Sequence, residues 1–309
     1  MSAGAVISLY SVHAQNIYSG VKRFEYRTRK PAQDVEYLAI YETGKKRAVT
    51  GIAKISGILE GAPNEIWELT KSFAGISSKY FKRYFAGRRK AVAYCISEAM
   101  SFDQAVPLHE IGVDRPPQSF QYISEGAVEK LLGRVSASES ITDARYFIGG
   151  VHGVGKTTFA KHLATGMGID HYSSSDLIKR ARELPAADKA VATENLMPNQ
   201  DALITGLGLT DWFEIGGILD GHFVLRSDDG RFAGIPISVF EQMRLDSLFV
   251  LTGESDVIAS RIGNRDGFSG QQWQYDAEVI RAMQEAEIEH AKLVANQLKL
   301  PLSLIRAKA

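Results

Sequence analysis

The amino-acid sequence predicts two domains: a strand-dominated α+β barrel, then an α/β unit whose parallel sheet is flanked by helices. Three observations carry that prediction. At 309 residues, 45% of them hydrophobic, the chain has material for about two cores. The stretch GRVSASESITDAR (133–145) is rich in Ser and Thr and has no apolar periodicity, as a linker would be. Before it short strands dominate, and after it strands and helices alternate. The expected division is 1–132, a linker over 133–144, and 145–309.

Composition narrows the class. Charged residues make up 23% of the chain, and no window offers the roughly 18 continuous apolar residues of a membrane helix. The opening MSAGAVISLYSVHAQ has no basic segment ahead of a signal-type apolar run, so a cytoplasmic protein without membrane attachment is expected. The single cysteine, Cys95, sits in the apolar run AVAYCISEAM and reads as a buried small hydrophobe rather than a nucleophile. Net charge is zero but uneven: up to residue 135 there are 19 Lys+Arg against 13 Asp+Glu, and 17 against 23 afterwards. The basic front half suits a polyanion, although a solvated surface carries as much.

In the front half AVISLY is strand-like, and SVHAQNIYSG reads as a helix opening on Ser11 and closing on Gly20. KRFEYRT alternates, with Phe24 and Tyr26 on one face and Arg23, Glu25 and Arg27 on the other. VEYLAIYE, AVTGIAKISGILE and KAVAYCISEAM continue as strands, while PNEIWELTKSF and SKYFKRYFAG read as amphipathic helices. In the back half RYFIGG is a strand, VHGVGK a loop, TTFAKHLATGMG a helix and IDHYSSS a strand. Strands are also expected at WFEIGGILDGHF and DSLFVLTG. Helices are expected at SDVIASRIGNR and from about Tyr275 to Gln297, before the closing LPLSLIRA.

Gly150-x-x-x-x-Gly155-Lys156-Thr157 matches the phosphate-loop pattern, and it follows a strand and opens a helix, as that motif requires. Glycines let backbone N–H groups turn inward around an anion, to which the helix start adds its positive dipole end. Gly150, Gly153, Val154, Gly155, Lys156, Thr157 and Thr158 are the expected ATP-binding residues: Lys156 reaches the outer phosphates and Thr157 offers a hydroxyl to Mg²⁺. GGILDGHF ends an apolar strand in Asp220, at the sheet edge where a carboxylate faces the phosphates and their Mg²⁺. The pair Asp220-Gly221 also suits a plain turn. No second carboxylate follows Asp220, which counts against a motor ATPase.

Residues 145–309 resemble adenylate kinase and its nucleoside monophosphate kinase relatives. DHYSSSDLIKR (170–180) is similar to the segment that opens the acceptor-binding helix, ILDGHF to the Asp-Gly strand end, and SRIGNRDG to the Arg-bearing entrance of the lid. The resemblance implies that Lys156, Arg261 and Arg265 offset charge on a phosphoryl group in transfer, with Thr157 and Asp220 on Mg²⁺. It further implies that Asp176 and Arg180 place the acceptor. His222, next after Asp220-Gly221, suits either an acceptor contact or a structural histidine. Asp176 equally suits a helix N-cap and the arginines a solvated face. The short segment DGFSGQQWQYD lacks metal-binding cysteines, and ARELPAADKAVATENLMPNQDALITGL has no adenylate-kinase-type acceptor sequence.

Residues 5–124 resemble the ASCH group of the PUA-like superfamily. An apolar strand, a helix closing in Ser-Gly, and then Gly20-x-Lys22-x-x-Glu25-x-Arg27 carry the likeness, which the later strands and RPPQSFQYIS extend. It implies a PUA-like barrel with a groove for RNA or a modified base, at Lys22, Arg23, Glu25 and Arg27. Arg29, Lys30 and the run KYFKRYFAGRRK add cations interleaved with aromatics, a mix that pairs with phosphates and stacks on bases, while Phe81, Tyr84 and Phe85 equally fit an amphipathic core face with the cations solvated.

The combined expectation is ATP-dependent phosphoryl transfer to a nucleotide or nucleic-acid-derived acceptor, with the front module recognising RNA or a modified base. Two other classes fit the same residues. One is a nucleic-acid-binding regulator switched by ATP without an acceptor; the other is an amidohydrolase using Lys22 and Glu25.

Overall fold

In the computed structural model the chain divides into two units, Met1–Thr142 with Gly166–Gly168, and Asp143–Thr165 with Ile169–Ala309. The structure describes residues 4–135, 139–140, 144–183, 198–226, 231–265 and 276–307.

The first unit is built on one sheet. Its elements are β1 (Gly4–Leu9), α1 (Ser11–Tyr18), β2 (Phe24–Arg27), β3 (Tyr37–Glu42), β4 (Ala48–Gly61), α2 (Pro63–Thr70), α3 (Ser78–Tyr84), β5 (Ala91–Val106), β6 (Phe120–Ile123), α4 (Glu125–Leu132) and β7 (Glu139–Ser140). The strand order is β2-β5-β4-β3-β1-β6, with β7 paired to β5 beyond that path. Only β1 and β3 run parallel; the other pairs are antiparallel. Register shifts along β4 bend it against β5 and coil the sheet into an ASCH-like half-barrel.

Both faces of this sheet are covered, which explains why β1 is apolar at every position but Ser8. Ala5, Ile7 and Leu9 pack with Ala14 and Ile17 of α1, whereas Val6 packs on the opposite side with Val128 and Leu131 of α4. Helix α4 was not anticipated. Its signals were Ser124, whose hydroxyl accepts from Ala127 N at 3.2 Å, and apolar residues at 127, 128 and 131. Strand β7 falls inside the stretch expected to be a linker, where Glu139 and Ser140 pair with Ala99 and Glu98. Cys95 is buried in β5, and burial pushes its thiol up to about 12. In the native chain Cys95 should therefore resist thiol reagents at pH 8 and react only on unfolding; rapid labelling without denaturant would contradict its burial.

The second unit has a five-stranded, wholly parallel sheet. In chain order it contains β8 (Arg145–Gly149), α5 (Lys156–Met167), β9 (His171–Ser173), α6 (Ser174–Glu183), α7 (Pro198–Gly208), α8 (Trp212–Ile215), β10 (Gly217–Asp220), β11 (Val224–Arg226), β12 (Phe232–Gly234), α9 (Ile237–Gln242), β13 (Ser247–Thr252), α10 (Ser255–Arg265), α11 (Ala277–Leu298) and β14 (Leu302–Arg306). The sheet order β14-β13-β8-β10-β9 puts β8 at the centre with β10 at its side, so both end at the same edge of a parallel sheet. Phe147, Leu219, Leu248 and Val250 from the sheet pack with Trp212, Phe223, Phe240, Ala291 and Val294.

One sequence expectation fails here. WFEIGGILDGHF is not a single strand, because Trp212–Ile215 form a helical turn in which Ile215 N donates to Asp211 O at 2.8 Å. Gly216 and Gly217, at φ +73° and +142°, then turn the chain into β10. Trp212 is fully buried and its Nε1 donates to Met243 O at 2.9 Å, so tertiary packing decides the local conformation. No helix among the described residues is long and apolar enough to cross a membrane.

Candidate active site

Strand β8 delivers the chain to a loop in which Gly150, Gly153 and Gly155 lie at φ +146°, +77° and +98°. These conformations demand glycine, and space demands it too at two of the positions. A Cβ on Gly150 would stand 2.4 Å from Leu251 O, and one on Gly153 would stand 2.7 Å from Ile262 Cγ1. Val154 is buried beneath the loop, while Thr157 and Thr158 are exposed at the start of α5. Gly150→Ala should cost about 1–3 kcal/mol and weaken nucleotide binding, because the obstacle is backbone. Thermal unfolding with and without ATP would show both effects.

Lys156 is buried under this loop, 8% exposed. Its ammonium donates to Gly150 O at 2.7 Å and Val151 O at 3.0 Å, and faces His222 Nε2 at 3.5 Å. Burial lowers its pKa to about 8, against the opposing pull of Glu287 and Asp220. Asp220, at the end of β10, is also buried; its Oδ2 lies 2.8 Å from His171 Nε2 of β9, while Ser174 Oγ donates to its backbone O. The parallel pairing of β10 with β8 sets Asp220 level with Ile148, just before the loop. Thr157 and Asp220 offer the hard oxygen donors that suit Mg²⁺.

A cavity of about 770 Å³ lies over the loop, lined by Gly153–Phe159 and reaching Leu251, Arg261 and Ala307. Exposed Arg261 stands at the cavity. Arg265 closes α10, and its side chain lies outside the described residues, as do the expected lid segment 266–275 and most of the acceptor region (184–197). Asp176 and Arg180 are exposed on α6, whose buried face is Leu177 and Ala181. His222 is held beside Lys156 by a residue that sequence reasoning missed: Glu287 of α11, 1% exposed. The legible signal was a carboxylate in the buried stripe Ile280, Met283, Gln284, Glu287, Ala291, Val294 of that helix.

The first unit has its own cavity, about 330 Å³, with Lys22, Glu25 and Arg27 in its wall and Tyr10, Tyr80 and Tyr84 around it. Alternation along β2 holds, but the charged face is not solvated: Lys22, Glu25 and Arg27 are 2%, 4% and 9% exposed. Lys22 Nζ lies 2.7 Å from Glu25 Oε2, and Arg27 Nη2 lies 3.0 Å from Glu25 Oε1. Burial alone would raise the Glu25 carboxyl, yet the two cations outweigh it and hold it below the ordinary range. The basic cluster is therefore divided. Lys22 and Arg27 serve Glu25, Arg23 stacks over the Phe73 ring at 4.3 Å, and only Arg29 and Lys30 are exposed. Buried His13 Nδ1 and Arg27 Nε, both on residues lining the cavity, have no hydrogen-bond partner among the described residues.

An ASCH domain-containing ribonuclease of Zymomonas mobilis is 32% identical over 142 residues, which cover 44% of this chain and 94% of that protein. The chain belongs to the ASCH-domain family. The crystal structure of ASCH from Zymomonas mobilis aligns with 43% of this chain and 96% of its own, at 28% identity and a TM-score of 0.39. Beyond the ASCH unit, residues 149–281 match the family model of an AAA domain. A sugar kinase structure from Janibacter sp. HTCC2649 aligns with 53% of this chain and 85% of its own, at 19% identity and a TM-score of 0.31. This ASCH-family chain joins an ASCH unit to a phosphate-loop unit that matches the AAA-domain model.

Proposed function

We propose that the chain is an ATP-dependent phosphotransferase of the nucleoside monophosphate kinase type, acting on a nucleotide or nucleic-acid-derived acceptor. Its ASCH unit selects RNA or a modified base. The observation that carries this reading is Lys156, buried beneath a left-handed glycine loop, with the Asp220 carboxylate on the adjacent parallel strand. Phosphoryl transfer asks mainly for positioning and charge stabilisation, and these residues supply both.

In this reading Gly150 and Gly153–Thr158 bind the ATP phosphates, Lys156 and Arg261 offset charge at the transferring group, and Arg265 joins them. Thr157 and Asp220 hold Mg²⁺ directly or through water, with His171 fixing the Asp220 carboxylate. Asp176, Arg180 and His222 address the acceptor. Lys22, Arg23, Glu25 and Arg27 form the base- or RNA-facing part of the ASCH unit, a role supported by the cavity that three of them line.

The test is transfer of labelled γ-phosphate from ATP, with Mg²⁺, across a panel of nucleosides, mononucleotides and short RNAs, for wild type and Lys156→Met. Label on an acceptor, lost in the variant, is the expected result. Label released only as free phosphate, at a rate raised by RNA, would replace the kinase with an RNA-responsive NTPase.

A further inference from the structure

The turn after β10 places an imidazole against the phosphate-loop lysine. His222 Nδ1 lies 3.0 Å from Glu287 Oε1, and the other Glu287 oxygen accepts from Phe223 N at 2.7 Å. Glu287 is thus anchored at both oxygens inside the core, whereas the His222 side chain keeps 30% of its surface open. On its far side the ring presents Nε2 to Lys156 Nζ, 3.5 Å away.

The two neighbours of the ring favour one tautomer over the other. Facing an ammonium, Nε2 must be the lone-pair nitrogen, so Nδ1 bears the hydrogen and donates to Glu287. The charged groups that face the ring are Lys156 from α5 and Glu287 from α11. An accepting nitrogen whose ring is backed by a carboxylate suits a partner that brings an O–H. It does not suit a phosphate monoester, which is already ionised near neutral pH, needs no base and calls for donors instead.

We propose that the group phosphorylated is a hydroxyl, with His222 as its catalytic base and Glu287 as the positioning residue that holds the ring. The inference rests on the kinase reading above and narrows its acceptor to an alcohol, such as a ribose or polynucleotide-end hydroxyl. In the step, a bond forms between the acceptor oxygen and the γ-phosphorus, and the bond from that phosphorus to the β,γ-bridging oxygen breaks. ADP leaves with the electron pair. The hydroxyl proton passes to His222 Nε2 and from there to solvent through the open part of the ring. Once Lys156 turns to the phosphates, Nε2 is released for this use.

The experiment pairs acceptors that differ only in their terminal group, nucleosides against their 5′-monophosphates and 5′-hydroxyl against 5′-phosphate RNA. It uses the full chain and labelled γ-phosphate. Label should enter hydroxyl acceptors and yield monoesters. His222→Asn should lower kcat on the order of 10²–10⁴-fold, with ATP affinity measured by calorimetry changed less than twofold. Glu287→Gln should lower kcat less. Selective ¹⁵N-histidine spectra of the wild-type chain, with His222 assigned by its loss in His222→Asn, should show the Nδ1–H tautomer.

Label entering a terminal phosphate to give a diphosphate would overturn the hydroxyl inference and leave the kinase standing. Label appearing only as free phosphate would overturn both. An Nε2–H ring, or full transfer by His222→Asn, would remove the base whatever the acceptor. The spectra stand even if Glu287→Gln does not fold.

Discussion

Lys156→Met should lower phosphoryl transfer on the order of 10²–10³-fold, the usual cost of deleting one preorganised charge at a transferring group. The same substitution should make the nucleotide-free chain more stable at neutral pH. Burial holds the Lys156 ammonium at about 8 from a starting value of 10.5. The folded state therefore binds its proton more weakly than the unfolded state does. For such a group the penalty is full below pH 8 and is relieved as pH rises from 8 to 10.5, because the unfolded chain still binds the proton there. A shift of that size is worth up to about 3 kcal/mol, which a methionine of similar length avoids. Urea unfolding across pH 7–10.5 should show wild type gaining on the variant. A variant less stable than wild type at pH 7 would mean that the loop carbonyls and His222 compensate the charge fully. Function thus keeps a charge where folding alone would not.

Glu25→Ala should destabilise the first unit by about 3–5 kcal/mol, the cost of stripping the counter-charge from buried partners. Lys22 and Arg27 would be left facing each other at 2% and 9% exposure. Glu25→Gln should recover only part of the loss, since an amide keeps the shape without the charge. The pH dependence follows from the direction of the shift. The carboxyl is held below its ordinary value of 4.5, so its contribution is complete above that value and is lost as pH falls through the lowered one. Circular dichroism and urea midpoints for both variants, between pH 3 and 7, would check it. A loss under 1 kcal/mol at pH 7 would show that the triad is open to water.

The phosphate loop was legible because its chemistry is local. The positions of Gly150, Gly153, Gly155, Lys156 and Thr157 follow from what eight consecutive residues must do around an anion, and the strand before them and helix after them are written in neighbouring periodicities. The strands of the first unit were legible for the same reason. The Trp212–Ile215 turn was not, because four residues of mixed pattern take their form from a tryptophan that finds Met243 O across the core.

The charged residues divide along the same line. Sequence alone placed Lys22, Arg23, Glu25 and Arg27 in one short run, and Asp220-Gly221-His222 at a strand end. Only the tertiary structure decided their partners: Glu25 gathers Lys22 and Arg27 inward, and Arg23 turns to Phe73. Asp220 meets His171 from the neighbouring strand, and Glu287, 65 residues from His222, reaches it from the last helix. Alternation and motif spacing act between near neighbours in the chain and survive in its order. Pairing of buried charges acts between elements that meet only after folding, where desolvation makes each charge depend on whichever partner the packing delivers.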